Sequence, residues 1–215
     1  MTTAATSPGQ LRARRALEVE RARRDAHWFI FDSGYLHTKD EHDAQAPREG
    51  KPFPDIPYLR ALRDALLVSG RLRRPDEAAH ARAGGIPFSV LMLLAEGGVL
   101  FIEKSRDMLV TLLVSSYLLW RARGIGNQLI LVQGKREEDA AKIVFTKEPM
   151  FAKMSFTEDH LPGWLRQITW PRGGSLGNLY VPNGSHVQAI PEGGHIIRSE
   201  HPSVVFSDEA AFQAE

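Results

Sequence analysis

Short apolar runs with no polar alternation leave a chain few ways to fold, and this chain carries three of them. Val99–Ile102, Gln128–Val132 and Val204–Phe206 each read as a strand buried on both faces, which occurs in sheets covered on both sides. Between the first two, Leu109–Arg123 has helical length and is apolar almost all round, as a buried helix is. Glu137–Phe145 predicts a further helix after the second strand. Strand, helix, strand, helix with short links predicts a parallel sheet covered by helices.

Around that core the texture varies. Leu11–Trp28 is built from strong helix formers and an arginine cluster, Arg12, Arg14, Arg15, Arg21, Arg23 and Arg24, with Glu18 and Glu20 between them. It reads either as a solvated face with pairs such as Glu20 with Arg24, or as a basic arm that touches DNA phosphates or a partner subunit. Asp40–Asp55, with Pro47, Gly50, Pro52 and Pro54, reads as a surface loop. Tyr58–Gly70 predicts a helix with Leu59, Leu62, Leu66 and Leu67 on one face and Gly70 as its stop. Pro75–Gly85 predicts a polar helical piece, and Pro87 opens an apolar helix through Leu94. Asn183-Gly184, between Leu179–Val181 and Val187–Ile190, predicts a hairpin. The expected organisation is an N-terminal helical arm and loop over 1–52 and an α/β domain over 53–215.

Composition works by exclusion. A chain of 215 residues with 43% hydrophobic and 25% charged residues supports a folded core. The absence of cysteine rules out a disulfide framework, a thiolate zinc site and a cysteine nucleophile. With 27 Lys and Arg against 26 Asp and Glu, net charge offers no global argument for nucleic acid, so any electrostatic footprint is local. Ile86–Ile102 is broken by Glu96-Gly97-Gly98 and Leu109–Trp120 is short of the ~20 residues of a membrane span. Met1–Gln10 has neither the basic nor the apolar region of a secretory signal, and the expected location is the cytoplasm. His37, Asp40, His42 and Asp43 read as a solvated loop rather than a metal cluster. Ser105 and Ser207 lack the elbow glycines of a serine hydrolase. Trp120, Trp164 and Trp170 read as packing anchors.

Two segments carry the chemistry. Glu103-Lys104-Ser105-Arg106-Asp107-Met108-Leu109-Val110-Thr111 lies between an expected strand and an expected helix, where a phosphate-binding loop would lie. Such a loop turns backbone N–H groups and a helix N-terminus toward phosphates, with a lysine to neutralise them and a hydroxyl on Mg²⁺. The G-x-x-x-x-G-K-[ST] pattern is absent: Leu109 and Val110 occupy the places of the second glycine and the lysine, Thr111 the Ser/Thr place, and Lys104 the front of the loop. The second segment, Ser203–Glu209, is an apolar strand ending in two acids. A Walker B element of that form places one carboxylate on the Mg²⁺ shell and the next on the attacking water.

Taken together with Gln128–Gln133, Lys135, Glu137–Ala141, Pro182–Ser185, Pro191–Ser199 and Val205–Phe212, these segments resemble the ATPase part of a tailed-phage terminase large subunit. The resemblance covers at least Phe53 to the end. It implies a P-loop NTPase-type three-layer α/β domain with a mostly parallel sheet, incomplete at the C-terminus, beside an N-terminal helical region. It further implies an ATP hydrolase that uses ATP and Mg²⁺ to drive double-stranded DNA into a procapsid in the host cytoplasm. By the same resemblance Lys104 is the phosphate lysine, moved to the front of the loop as in some members. Ser105, Arg106, Asp107, Met108, Leu109, Val110 and Thr111 complete the nucleotide loop. Thr111 and Asp208 hold Mg²⁺, Glu209 is the catalytic base, and Arg106 senses or stabilises the γ-phosphate, with Arg198 in a related role. The implied partners are double-stranded DNA, a terminase small subunit, a portal protein and, in a ring, other copies of the chain. Leu109 departs from the glycine of many relatives, and the coupling motif and nuclease domain that follow Walker B in the family are missing, so the chain is expected to be the front part of a longer protein. The alternative is a non-catalytic truncated remnant or interaction module that binds DNA or partner subunits through the Arg12–Arg24 arm.

Overall fold

Helix α1, Pro8–Arg24, begins at a capping box: Gln10 N–H donates to Ser7 Oγ (3.3 Å) while Ser7 N–H donates to Gln10 Oε1 (3.0 Å). Two otherwise orphaned donors are thereby satisfied, with Pro8 pre-set for the first turn. The helix therefore starts upstream of the expected Leu11. The computed structural model describes residues 7–38, 50–69, 102, 109–147, 151–168 and 173–208. The expected helices at Pro75–Gly85 and Pro87–Leu94 lie outside those residues, as does the expected strand Val99–Ile102 apart from Ile102.

The chain divides into two compact units, Met1–Phe53 with Leu118–Glu215, and Pro54–Tyr117. In the second unit, α2 spans Pro57–Ser69, within a residue of the expected helix, and buries Leu59, Ala65 and Leu66. Helix α3, Val110–Gly124, contributes Val110–Tyr117 to this unit, where Leu112, Leu113 and Val114 are buried. The Tyr117 hydroxyl donates to the Leu66 carbonyl (3.1 Å).

In the first unit, Asp25 follows α1 and its carboxylate accepts the Trp28 N–H (2.9 Å), opening a π-helical turn, Trp28–Asp32. That turn buries Phe29 and Ile30. A two-residue ribbon pairs β1, His37–Thr38, just before the expected loop, with β2, Lys51–Pro52, inside it. The sheet comprises β3 (Leu129–Gln133), β4 (Gly174–Ser175), β5 (Asn178–Tyr180), β6 (His186–Ile190) and β7 (Val204–Ser207) in the order β4-β5-β6-β3-β7. β3 pairs in parallel with both β6 and β7, and β4, β5 and β6 are antiparallel. The fold is thus α/β with a mixed five-stranded sheet whose middle is parallel. The expected hairpin forms, with Tyr180 opposite His186 across the Val181–Ser185 connection.

Ile130, Leu131 and Val132 are fully buried, as both-face coverage of β3 predicts. Helix α4, Glu137–Val144, packs on β3, β5 and β6 through Ala140, Ala141, Ile143 and Val144. Each large apolar side chain so buried contributes roughly 1.5–3 kcal/mol relative to exposure. Two helices have no counterpart in the expectations: α5, Lys153–His160, and α6, Gly194–Glu200. α5 carries Glu158, fully buried, whose Oε1 accepts the N–H groups of Gln167 (2.7 Å) and Ile168 (3.0 Å) while Oε2 pairs with Arg123 of α3. Arg123 also donates to the Leu165 carbonyl (2.6 Å) and lies over the Phe29 ring. Burial pulls its guanidinium below the usual arginine pKa, against the opposing pull of Glu158. Both Glu158 oxygens and both terminal nitrogens of Arg123 thus have partners, the condition under which a buried ion pair is tolerated.

Candidate functional site

The loop that the sequence marks for phosphate leads into α3. Leu109 stands just before that helix, accepts the Leu113 N–H at its carbonyl (3.0 Å), and has φ 54°, in the left-handed region. A non-glycine residue enters that region at a steric cost of about 1–2 kcal/mol. Nests of successive N–H groups are built from residues in this region beside right-handed ones. The first turn of α3 holds no acidic residue, so the partial positive charge of the helix start, about half an elementary charge, is not offset there. Val110 is buried and Thr111 is part-exposed on that first turn. Leu109, Val110 and Thr111 therefore occupy one helix start within the Pro54–Tyr117 unit. Lys104, Ser105, Arg106, Asp107 and Met108 lie outside the described residues.

Asp208 belongs to the other unit, one residue past β7. Its N–H donates to the Gln133 carbonyl (3.0 Å), which prolongs the parallel ladder by a step. Asp208 thereby stands at the carboxyl ends of β3, β6 and β7, the side from which open α/β sheets bind ligands. Glu209 lies outside the described residues. Arg198 is exposed on α6.

Two side chains absent from the expected site tie this edge together. Ser207 Oγ donates to Gln133 Oε1 (3.1 Å), and Gln133 Nε2 lies 3.4 Å from each of the Pro191 and Gly193 carbonyls. Gln133 is buried, and it is the polar residue that closes an otherwise apolar strand. That break in the apolar run is the signal that would have marked it.

No family model matches the chain, and no curated protein matches its sequence. Geometry alone therefore bears on chemistry here. Among the described residues no group of three or more His, Asp or Glu side chains is placed to hold a metal ion. Asp40, His42 and Asp43 lie outside the described residues, while His37 Nδ1 sits 3.1 Å from the Tyr35 carbonyl. No helix among the described residues is long and apolar enough to cross a membrane.

The arginine-rich helix presents a second surface. From Pro8 to Leu17 every residue of α1 is exposed, Arg12, Arg14 and Arg15 included. Arg14 pairs with Glu18 (2.9 Å), and that hydrogen bond holds the Glu18 carboxyl below its usual pKa. The expected Glu20–Arg24 pair forms at 2.5 Å. An open cleft of about 420 Å³ is lined by Arg14, Leu17, Glu18, Arg21, Trp28 and Tyr35, among others. The far end of α1 is anchored: Ala22 is buried, its carbonyl accepts from Trp120 Nε1 (3.0 Å), and Arg23 Nε donates to the Gly124 carbonyl (3.2 Å).

Proposed function

We propose that the chain is the ATPase motor module of a phage DNA-packaging terminase large subunit, hydrolysing ATP with Mg²⁺ to drive double-stranded DNA into a procapsid. The left-handed Leu109 at the start of α3 carries the reading, because it supplies, without glycine, the backbone bend a phosphate cradle needs. Asp208 at the carboxyl end of a parallel sheet supports it from the other segment. The P-loop NTPase form of the three-layer domain belongs to this reading.

The residue types suit the implied ligands. Thr111 offers a hydroxyl and Asp208 a carboxylate, the oxygen ligands that Mg²⁺ prefers alongside phosphate and water. When bound, Mg²⁺ supplies charge neutralisation on the β- and γ-phosphates. Lys104 at the front of the loop neutralises phosphate charge, and Ser105 to Val110 contribute backbone donors. Arg106 stabilises charge on the γ-phosphate. Glu209 orients the attacking water. A small subunit, a portal protein and further copies of the chain in a ring, all in the host cytoplasm, complete the proposed setting.

Mg²⁺-dependent binding of a fluorescent ATP analogue and phosphate release by the whole chain test the reading. The wild type binds and turns over. Lys104→Ala loses binding, while Glu209→Ala retains it and turns over about 100-fold or more slowly. Absence of Mg²⁺-dependent nucleotide binding in the wild type overturns the proposal.

The exposed basic stretch of α1 favours a second reading, a module that holds DNA through that helix without turnover. Retention on double-stranded DNA that falls steeply with salt and is lost in Arg12→Ala/Arg15→Ala, in a chain that does not hydrolyse ATP, is its expected signature. Salt-independent retention, or none, removes it.

A further inference from the structure

Gln133 ends the middle strand of the parallel group and stands in register with Ile190 of β6 on one side and Ser207 of β7 on the other. Its two amide atoms face different elements. Oε1 accepts from Ser207 Oγ, the residue before Asp208, and Nε2 donates toward the carbonyls of Pro191 and Gly193, the turn that leads into α6. The Gln133 side chain is buried, while its partners Pro191 and Ser207 are part-exposed and Gly193 is exposed, so the clasp sits at the margin of the core. Gly193 itself, at φ 124°, has a backbone conformation that side-chain-bearing residues rarely adopt, so glycine is what lets the turn take this shape where Gln133 reaches it.

We propose that Gln133 is a positioning residue that clasps the end of β7 to the Pro191–Gly193 turn, so that the setting of Asp208 and that of α6, which bears Arg198, are coupled through one amide. The significance of Asp208 rests on the ATPase reading above; the clasp itself does not. An amide suits the task because it presents an acceptor and a donor at opposite corners of one rigid plane.

Amide hydrogen exchange on the whole chain, followed in peptides from 191–200 and 204–208, reads the coupling directly. Ser207→Ala changes only β7, yet the clasp predicts about fivefold faster exchange in 191–200 as well, the scale of one lost net hydrogen bond. Gln133→Met, which keeps the bulk, loosens both segments. Gln133→Glu keeps the acceptor for Ser207 and loses the donor, so it loosens 191–200 directly and, through the same coupling, 204–208 as well. Protection of 191–200 that is unchanged in Ser207→Ala, or exchange that rises evenly across the chain in proportion to lost global stability, overturns the clasp. A merely structural hydrogen bond gives that even pattern. In a hydrolysing wild type, Ser207→Ala is also expected to raise the Mg²⁺ concentration needed for half-maximal turnover while leaving the KM for ATP unchanged. In a wild type that binds no nucleotide, the ATPase reading fails and the exchange pattern still decides the clasp.

Discussion

Leu109 concentrates the tension between packing and backbone in this chain. Its left-handed φ of 54° costs about 1–2 kcal/mol for a residue with a branched side chain, and with 38% of its surface exposed it recovers only part of that by burial. Glycine would remove the steric cost but would bring about 0.5–1 kcal/mol of extra unfolded-state entropy. The two nearly offset, so Leu109→Gly is expected to leave the urea midpoint unchanged or slightly higher. Leu109→Val adds β-branching at a positive φ and is expected to lower stability by about 1 kcal/mol or more. A Leu109→Gly variant that loses as much as Leu109→Val would show that the left-handed conformation is not what governs the position. Leu109 was legible as the residue in a glycine's place, whereas its backbone conformation was not, because no local residue pattern forces leucine there. Gln133 carried a local mark as the polar residue closing an apolar strand, but its role was not legible, because the Ser207 hydroxyl and the Pro191 and Gly193 carbonyls that it meets are distant in sequence.

At the scale of elements, α3 is ended by a turn from elsewhere in the chain. Asn183 Nδ2 donates to the carbonyls of Ala122 (2.8 Å) and Arg123 (3.1 Å), and Ser185 Oγ donates to that of Ile125 (2.8 Å). The same Asn183-Gly184-Ser185 that turns the hairpin thus satisfies acceptors that a helix C-terminus leaves open. Asn183→Ala is expected to cost about 1–2 kcal/mol in urea unfolding. Asn183→Asp should cost more, since it sets a carboxylate against the negative end of the helix. Equal midpoints for wild type and both variants would remove the capping role. The hairpin, α3, α4, β3 and β7 were all legible, for each has a run or turn whose chemistry is local. Helix α5 was not: Met154, Ser155, Phe156, Thr157 and Glu158 are consecutively buried, so no polar face marks the 3.6-residue period. The π-helical turn after α1 was likewise not legible: the expected helix stopped at Trp28, the first residue of that turn, and Phe29 and Ile30 carry no signal of it.

For the whole molecule, an α/β class followed from three short apolar runs, and the two runs within the described residues do pair in parallel. The antiparallel extension through β4 and β5 turns the sheet mixed, an outcome foreshadowed by the Asn183-Gly184 turn but not by its two-residue edge strand. The sequence placed Asp208 at a strand end and Thr111 near a helix start, and each is found so within its own unit. The position of β3 between β6 and β7 also has a bearing on how the protein is made. Both neighbours of β3 follow it in the chain, so a ribosome releases the most water-averse strand long before either flank exists. Non-local pairings of this kind form slowly and leave sticky edges open meanwhile. Expression yield should consequently depend on translation speed and chaperone supply more than the stability of the finished protein would suggest.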